Sequence, residues 1–259
     1  MGLFGKGKDK KLCLICGEKA GFMRGGLEIE GGRLCRGCKD KLSPYVEQIP
    51  ISRSLPATPI TVDGYRAHLA WREECKALDG EFSPTERHDD PITGQPLFEI
   101  DRDHGLFRML RNSGEHADVM RLADLRDVHP VIIDYLFDER DPDGTAETRT
   151  HTYYFNIRIG MDLPLMQRAE FIAIGRSVRG GNDTRKRPGG YGPEGQTTMS
   201  EPDKREYEWF LDECQRLAQA FTGQAGPPEL RVLEYLPSQD RGYSDSPIAQ
   251  VGRLIPKDR

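Results

Sequence analysis

The chain has 259 residues, of which 36% are hydrophobic and 31% charged, with 28 glycines, 18 prolines and six cysteines. That length allows one sizeable core and a satellite module, and the glycine and proline content assigns part of it to linkers. The formal net charge of -5 is unevenly spread: residues 1–45 carry 10 Lys/Arg against 5 Asp/Glu and the remainder 27 against 37, so the acidic body is a poor partner for nucleic acid or anionic lipid unless its charge is segregated.

The opening MGLFGKGKDKK has no apolar signal region, and Lys6 stands where a myristoylation motif needs Ser or Thr. No apolar run reaches the roughly 18 residues that span a bilayer, so a cytoplasmic protein is expected. Thiols stay reduced in that compartment, and paired cysteines there read first as metal ligands.

Cys13 and Cys16 form one C-x-x-C pair and Cys35 and Cys38 another, with eighteen residues between them. This is the spacing of a four-cysteine zinc site. A C-x-x-C turn presents two sulfurs to one ion, and Gly17 suits the tight knuckle because glycine accepts positive φ. LEIEGGRLC then reads as two short strands turning at Gly31 and Gly32, and CRGCKDKLSPYVEQ as the start of a helix. Knuckle, hairpin and helix predict a zinc ribbon or treble-clef module over residues 1–47, with Leu34, Leu42 and Tyr45 as its core. One structural Zn2+ per chain is expected, because four thiolates leave no open position for water. Cys75 and Cys214 have no C-x-x-C partner and read as small core residues.

Residues 48–60, rich in proline and without period, read as a linker, and 61–82 as a connecting helix of weak amphipathicity with Leu69, Cys75 and Leu78 on its apolar side. SPTERHDDPITGQP reads as a loop; its His88-Asp89-Asp90 run lacks the spacing of a metal site. From Pro96 the pattern changes to strands. PLFEID and LFRMLR flank a turn at Gly105, VHPVIIDYLFDE is rich in β-branched and aromatic residues, HTYYFNIRIGM alternates, and MQRAEFIAIG supplies another strand. Residues 176–199, dense in glycine and arginine, read as a flexible insertion, with anion or RNA binding as the sharper alternative.

Ser200-Glu201-Pro202-Asp203 opens a helix with an N-cap, a first-turn proline and acids at the positive end of the dipole. Tyr207, Phe210, Leu211, Cys214, Leu217, Ala218 and Phe221 make its apolar stripe, and Gly223 ends it. Residues 95–223 are therefore expected to form an antiparallel β-barrel or sandwich of pleckstrin-homology-like type, capped by this amphipathic helix, in an α+β multi-domain chain. Residues 224–259 read as a mostly disordered tail with an apolar patch around Leu230, Val232, Leu233, Tyr235 and Leu236.

The segments MGLFG, CLICG, LCRGCKDKLSP and HLAWRE together resemble a bacterial family, domain of unknown function 4428. That resemblance implies that Cys13, Cys16, Cys35 and Cys38 are zinc ligands and that a pleckstrin-homology-like domain follows, with FEIDRDHGLFRML and TYYFNIRI as strands. It supplies an architecture and no activity. No nucleophile, base and orienting group stand together, so a non-enzymatic interaction protein with a protein partner is expected. Nucleic acid binding through the basic ribbon is the alternative, using Lys6, Lys8, Lys10, Lys11, Arg24, Arg33, Arg36 and Lys39. A third reading has residues 1–11 touch an anionic membrane peripherally.

Overall fold

A computed structural model describes residues 12–20, 27–43, 45–46, 60–110, 117–140, 146–186, 199–223, 226 and 228–235. Its amino-terminal part is a two-stranded hairpin, β1 (Leu27–Ile29) and β2 (Gly32–Leu34), followed by the one-turn helix α1 (Arg36–Lys39). Ile29 pairs with Gly32, so the turn falls on Glu30 and Gly31, one residue earlier than the glycine pair suggests. Gly32 is a strand residue, and its lack of a side chain serves a different purpose: a Cβ there would lie 2.8 Å from Leu14 Cγ.

Helix α2 (Val62–Asp79) begins at an N-cap where the Gly64 amide donates to Thr61 Oγ1 at 2.9 Å. Its buried stripe is Tyr65, His68, Trp71 and Cys75, while Leu69 and Leu78 are only half-buried. The apolar side expected at Leu69, Cys75 and Leu78 is therefore rotated, because Tyr65 and His68 turn inward to meet other parts of the chain and Trp71 packs beside His68.

A four-stranded antiparallel sheet follows, in the order β3 (Glu86–Asp89), β4 (Pro96–Asp101), β5 (Leu106–Met109) and β6 (Val119–Arg121). The second sheet is built on two long strands, β7 (Leu125–Arg140) and β8 (Ala146–Leu163), paired antiparallel from Leu125↔Met161 to Arg140↔Glu147. The other edge of β8 is shared: β9 (Met166–Ile172) takes its second half and β10 (Val178–Lys186) its first. The stretch expected as a flexible insertion over 176–199 is thus strand as far as Lys186, and residues 187–198 lie outside the described residues. Two further segments depart from expectation. The loop containing His88 is the edge strand β3, and part of the tail expected to be disordered is β11 (Arg231–Tyr235), parallel to β7.

Helix α3 (Glu201–Thr222) closes the two sheets. Ser200 caps it by accepting from the Asp203 amide, and Gly223 ends it in the left-handed conformation at φ 61°. Its first half sets Tyr207 and Phe210 edge-to-face against Phe155 of β8, with ring centroids 5.4 and 5.5 Å apart. Its last turn sets Phe221 against Phe98 and Phe107 of the other sheet, at 4.1 and 5.6 Å. Phe210, Cys214, Leu217, Ala218 and Phe221 are buried, and the Cys214 thiol donates to the Asn156 carbonyl at 3.2 Å. Each such aromatic contributes on the order of 2–3 kcal/mol by burial, so one helix face holds both sheets. Among the described residues no helix is long and apolar enough to cross a membrane.

Candidate metal centre

The first cysteine pair sits on a knuckle that local backbone bonds define. The Gly17 amide donates to the Cys13 carbonyl at 2.9 Å with Gly17 at φ 74°, and the Cys13 amide donates to the Glu18 carbonyl at 2.7 Å. The Leu14 amide donates to the Arg33 carbonyl at 2.9 Å, which pins the knuckle to β2; the bare Cα of Gly32 makes room for Leu14 there. The second pair is set by α1. Cys35 stands at its N-cap, and Cys38, one turn later, is buried.

These elements bring the sulfurs of Cys13, Cys16, Cys35 and Cys38 within 4.8 Å of one another. Cys16 Sγ and Cys35 Sγ are 3.5 Å apart and all four cysteines are free. Zinc held tetrahedrally at Zn–S distances of about 2.3 Å sets its sulfurs about 3.8 Å apart, so this cluster has the dimensions of a four-thiolate shell. Three of the four are buried and Cys16 is exposed. The four-cysteine group can therefore hold a metal ion.

The electrostatics of the bare thiols point the same way. Burial pushes the Cys13 thiol up, but the backbone N–H groups of Cys16, Cys35 and Ile15 outweigh it and bring the thiol down to about 6. Cys38 goes the other way: burial, then the sulfurs of Cys16, Cys13 and Cys35, push it up to about 12. At Cys16 the Glu18 amide favours the thiolate, while burial and the Cys35 and Cys13 sulfurs oppose it and leave the thiol raised. Four negative sulfurs this close repel one another, and a divalent cation at their centre removes that penalty.

A second set of contacts ties this cluster to the rest of the chain through α2, and the sequence reading missed it. The Tyr65 hydroxyl donates to the Cys38 carbonyl at 2.9 Å. His68 accepts from the Ser43 amide at Nε2, 3.0 Å, and through Nδ1 meets the Pro164 carbonyl in the β8–β9 turn at 2.8 Å. Arg72 donates to the Lys41 carbonyl at 2.8 Å and to Asp118 Oδ1 at 2.9 Å. Each of the three side chains therefore grips the cysteine module, and two of them also grip the sheets. Leu165, at φ 61° in the β8–β9 turn, packs where a Cβ on Gly64 would meet it at 3.0 Å. The available signal was His68 and Trp71 falling on the Tyr65–Cys75 stripe at helical spacing.

The remaining expected residues fall in plain structural roles. Cys75 and Cys214 are buried, and burial raises both thiols to about 12. His88 bonds Glu86 at 3.2 Å and stacks on Phe98 at 4.6 Å, while Asp90 accepts from the Ile92 amide in a tight turn. Among the described residues these make no metal cluster. Residues 1–11, with Lys6, Lys8, Lys10 and Lys11, lie outside the described residues, as does Arg24.

Fold and site together define a chain with a four-cysteine module able to hold a metal ion, docked by a helix onto an α+β body of mostly antiparallel sheets. Residues 11–54 match the model of a family described as Domain of unknown function (DUF4428), the family that the opening motifs resemble. The match spans the knuckle, the hairpin and α1 and ends before α2. No curated protein and no solved structure matches the chain.

Proposed function

We propose that this chain is a non-enzymatic, cytoplasmic interaction protein. One structural zinc ion, held by Cys13, Cys16, Cys35 and Cys38, fixes a ribbon or treble-clef module onto a pleckstrin-homology-like β domain, and the assembly presents surfaces to a protein partner. The observation that carries this reading is the four-sulfur cluster whose last residue, Cys38, is bonded to α2. Four protein ligands complete a tetrahedral shell and leave no position for a reacting water, which favours a structural role for the metal. Two sheets closed by one helix support the pleckstrin-homology-like plan for the body.

Metal ligation suits this module energetically. A segment of about 40 residues buries too little to fold alone, and zinc binding worth on the order of 10–16 kcal/mol supplies the difference. Elemental analysis of the purified chain beside a Cys35→Ser variant tests the reading: one zinc per chain is expected, lost in the variant. A chain without metal, or a variant that keeps a full equivalent, would overturn it.

A further inference from the structure

Strand β7 is bonded to β8 along one edge, and its opposite edge over Val131–Tyr135 is covered by β11. The two sides differ in what holds them. Val131, Ile132, Ile133, Asp134 and Tyr135 are all buried, so this stretch of β7 belongs to the core. In β11, by contrast, Arg231 is exposed and Val232 is 56% exposed, and the pairing is a five-residue parallel ladder from Arg231↔Val131 to Tyr235↔Tyr135. The described side-chain anchorage comes just before the ladder: Leu230 packs half-buried against the core, and His129 Nδ1 meets the Glu229 carbonyl at 3.1 Å.

Over its described side chains the strand is held by main-chain hydrogen bonds and the apolar anchor at Leu230. Those are the terms by which a sheet edge captures an extended peptide. From them we infer that the Val131–Tyr135 edge of β7 is a peptide-binding site, that β11 is its occupant in cis, and that an extended segment of a partner protein displaces it. The partner segment runs parallel to β7, places a leucine or similar apolar residue where Leu230 packs, and has no proline across the five ladder positions. Apart from proline, the two positions after the anchor tolerate any side chain, because Arg231 and Val232 are exposed.

The inference deepens the interaction reading by naming a surface and a kind of partner, and it rests on that reading. Tethering sets the competition. Gly223 ends α3 and the ladder begins at Arg231, so a short connection holds β11 at an effective concentration on the order of millimolar, against which a free peptide must compete. Free peptide binding to the intact chain is therefore weak by design.

The test uses the full chain and a fluorescent peptide of residues 228–235. In a Val232→Pro, Leu233→Pro double variant one proline must remove a ladder N–H, because alternate residues of a strand face opposite edges. The variant is expected to bind the peptide at least tenfold more tightly than the unaltered chain, with a scrambled peptide bound by neither. Backbone exchange at Val131–Tyr135 rises in the variant and falls again with peptide. A gentler variant, Leu230→Ala, weakens only the cis anchor and is expected to bind the peptide several-fold more tightly. Absence of peptide binding by both variants, or equal binding by all three chains, would overturn the inference. Zinc content, measured on the same samples, reports separately on the metal reading.

Discussion

The Tyr65 hydroxyl donates to the Cys38 carbonyl at 2.9 Å, joining the last residue of the four-cysteine cluster to the helix that meets both sheets. Burial, followed by the charge of the Cys38, Cys13 and Cys35 sulfurs, drives the Tyr65 phenol well above its ordinary range, so it remains a protonated donor. Tyr65→Phe keeps the ring and removes this one bond. The variant is expected to lose about 1 kcal/mol in urea unfolding and to give up zinc to a chelator several-fold faster, while still holding one equivalent. Unchanged release kinetics would show that the helix and the metal shell are energetically independent.

Arg72 makes the second join, and its partner is the more exposed to loss. The Asp118 side chain is 7% exposed, and its Oδ2 is a buried oxygen with no hydrogen-bond partner among the described residues, so the Arg72 bond at Oδ1 is what compensates the carboxylate. Removing one member of a buried pair leaves the other charge stranded. Arg72→Ala is expected to destabilise the chain by about 3–5 kcal/mol, and Asp118→Asn in the same background to recover part of that loss. A double variant no more stable than Arg72→Ala alone would refute the stranded-charge account.

His68 makes the third join sensitive to acid. Burial holds its imidazole below the ordinary value of 6.5, against upward pulls from the Pro164 carbonyl and Asp118. In the neutral ring Nε2 accepts from the Ser43 amide and Nδ1–H faces the Pro164 carbonyl; a proton on Nε2 would set N–H against N–H. The unfolded chain takes up its proton near 6.5, so below that value the unfolded state binds more protons than the folded one and stability falls. The contribution is complete above 6.5 and lost as pH drops through the lower folded value. Urea midpoints measured from about pH 8 to about pH 5 should decline more steeply for the unaltered chain than for His68→Gln. Identical slopes would remove His68 as the origin.

The parts of this architecture that the sequence revealed are those with a period or a fixed spacing: the two C-x-x-C pairs, the α3 stripe from Tyr207 to Phe221, and the alternation within β8. The overlooked strands β3, β6, β10 and β11 are all edges. An edge strand can be polar, because a main-chain ladder on one side and a few long side chains suffice to hold it. Glu86–Asp89 shows this, with Arg87 bonded to Asp89 and His88 lying on Phe98. Its residues carry no apolar alternation for a pattern to find. The α2 stripe was overlooked for a related reason: His68 and Arg72 count as polar in any periodic reading, and only their partners at Ser43, Pro164, Lys41 and Asp118 show why they face inward.

Closure of the two sheets by α3 rests on its last turn as much as on its middle. Phe221 is buried, touches Phe98 and Phe107, and sits beside the Ala220 carbonyl that Arg102 also bonds, so the end of the helix is fastened to β4 and β5 by both packing and a charge-assisted bond. Trp209 lies on the same helix, 44% exposed on its outer side. Truncating Phe221 leaves a cavity between the sheets and is expected to cost about 3–5 kcal/mol. Trp209→Ala removes a larger side chain that is partly covered and lies against Phe210, but opens no cavity between the sheets, and should cost less, about 1–2 kcal/mol. Because α3 bridges the sheets, Phe221→Ala should also raise hydrogen exchange in both β4 and β8 together. A rise confined to β4 would mean that the helix holds each sheet separately, and that Tyr207 and Phe210 fasten β8 without help from the last turn.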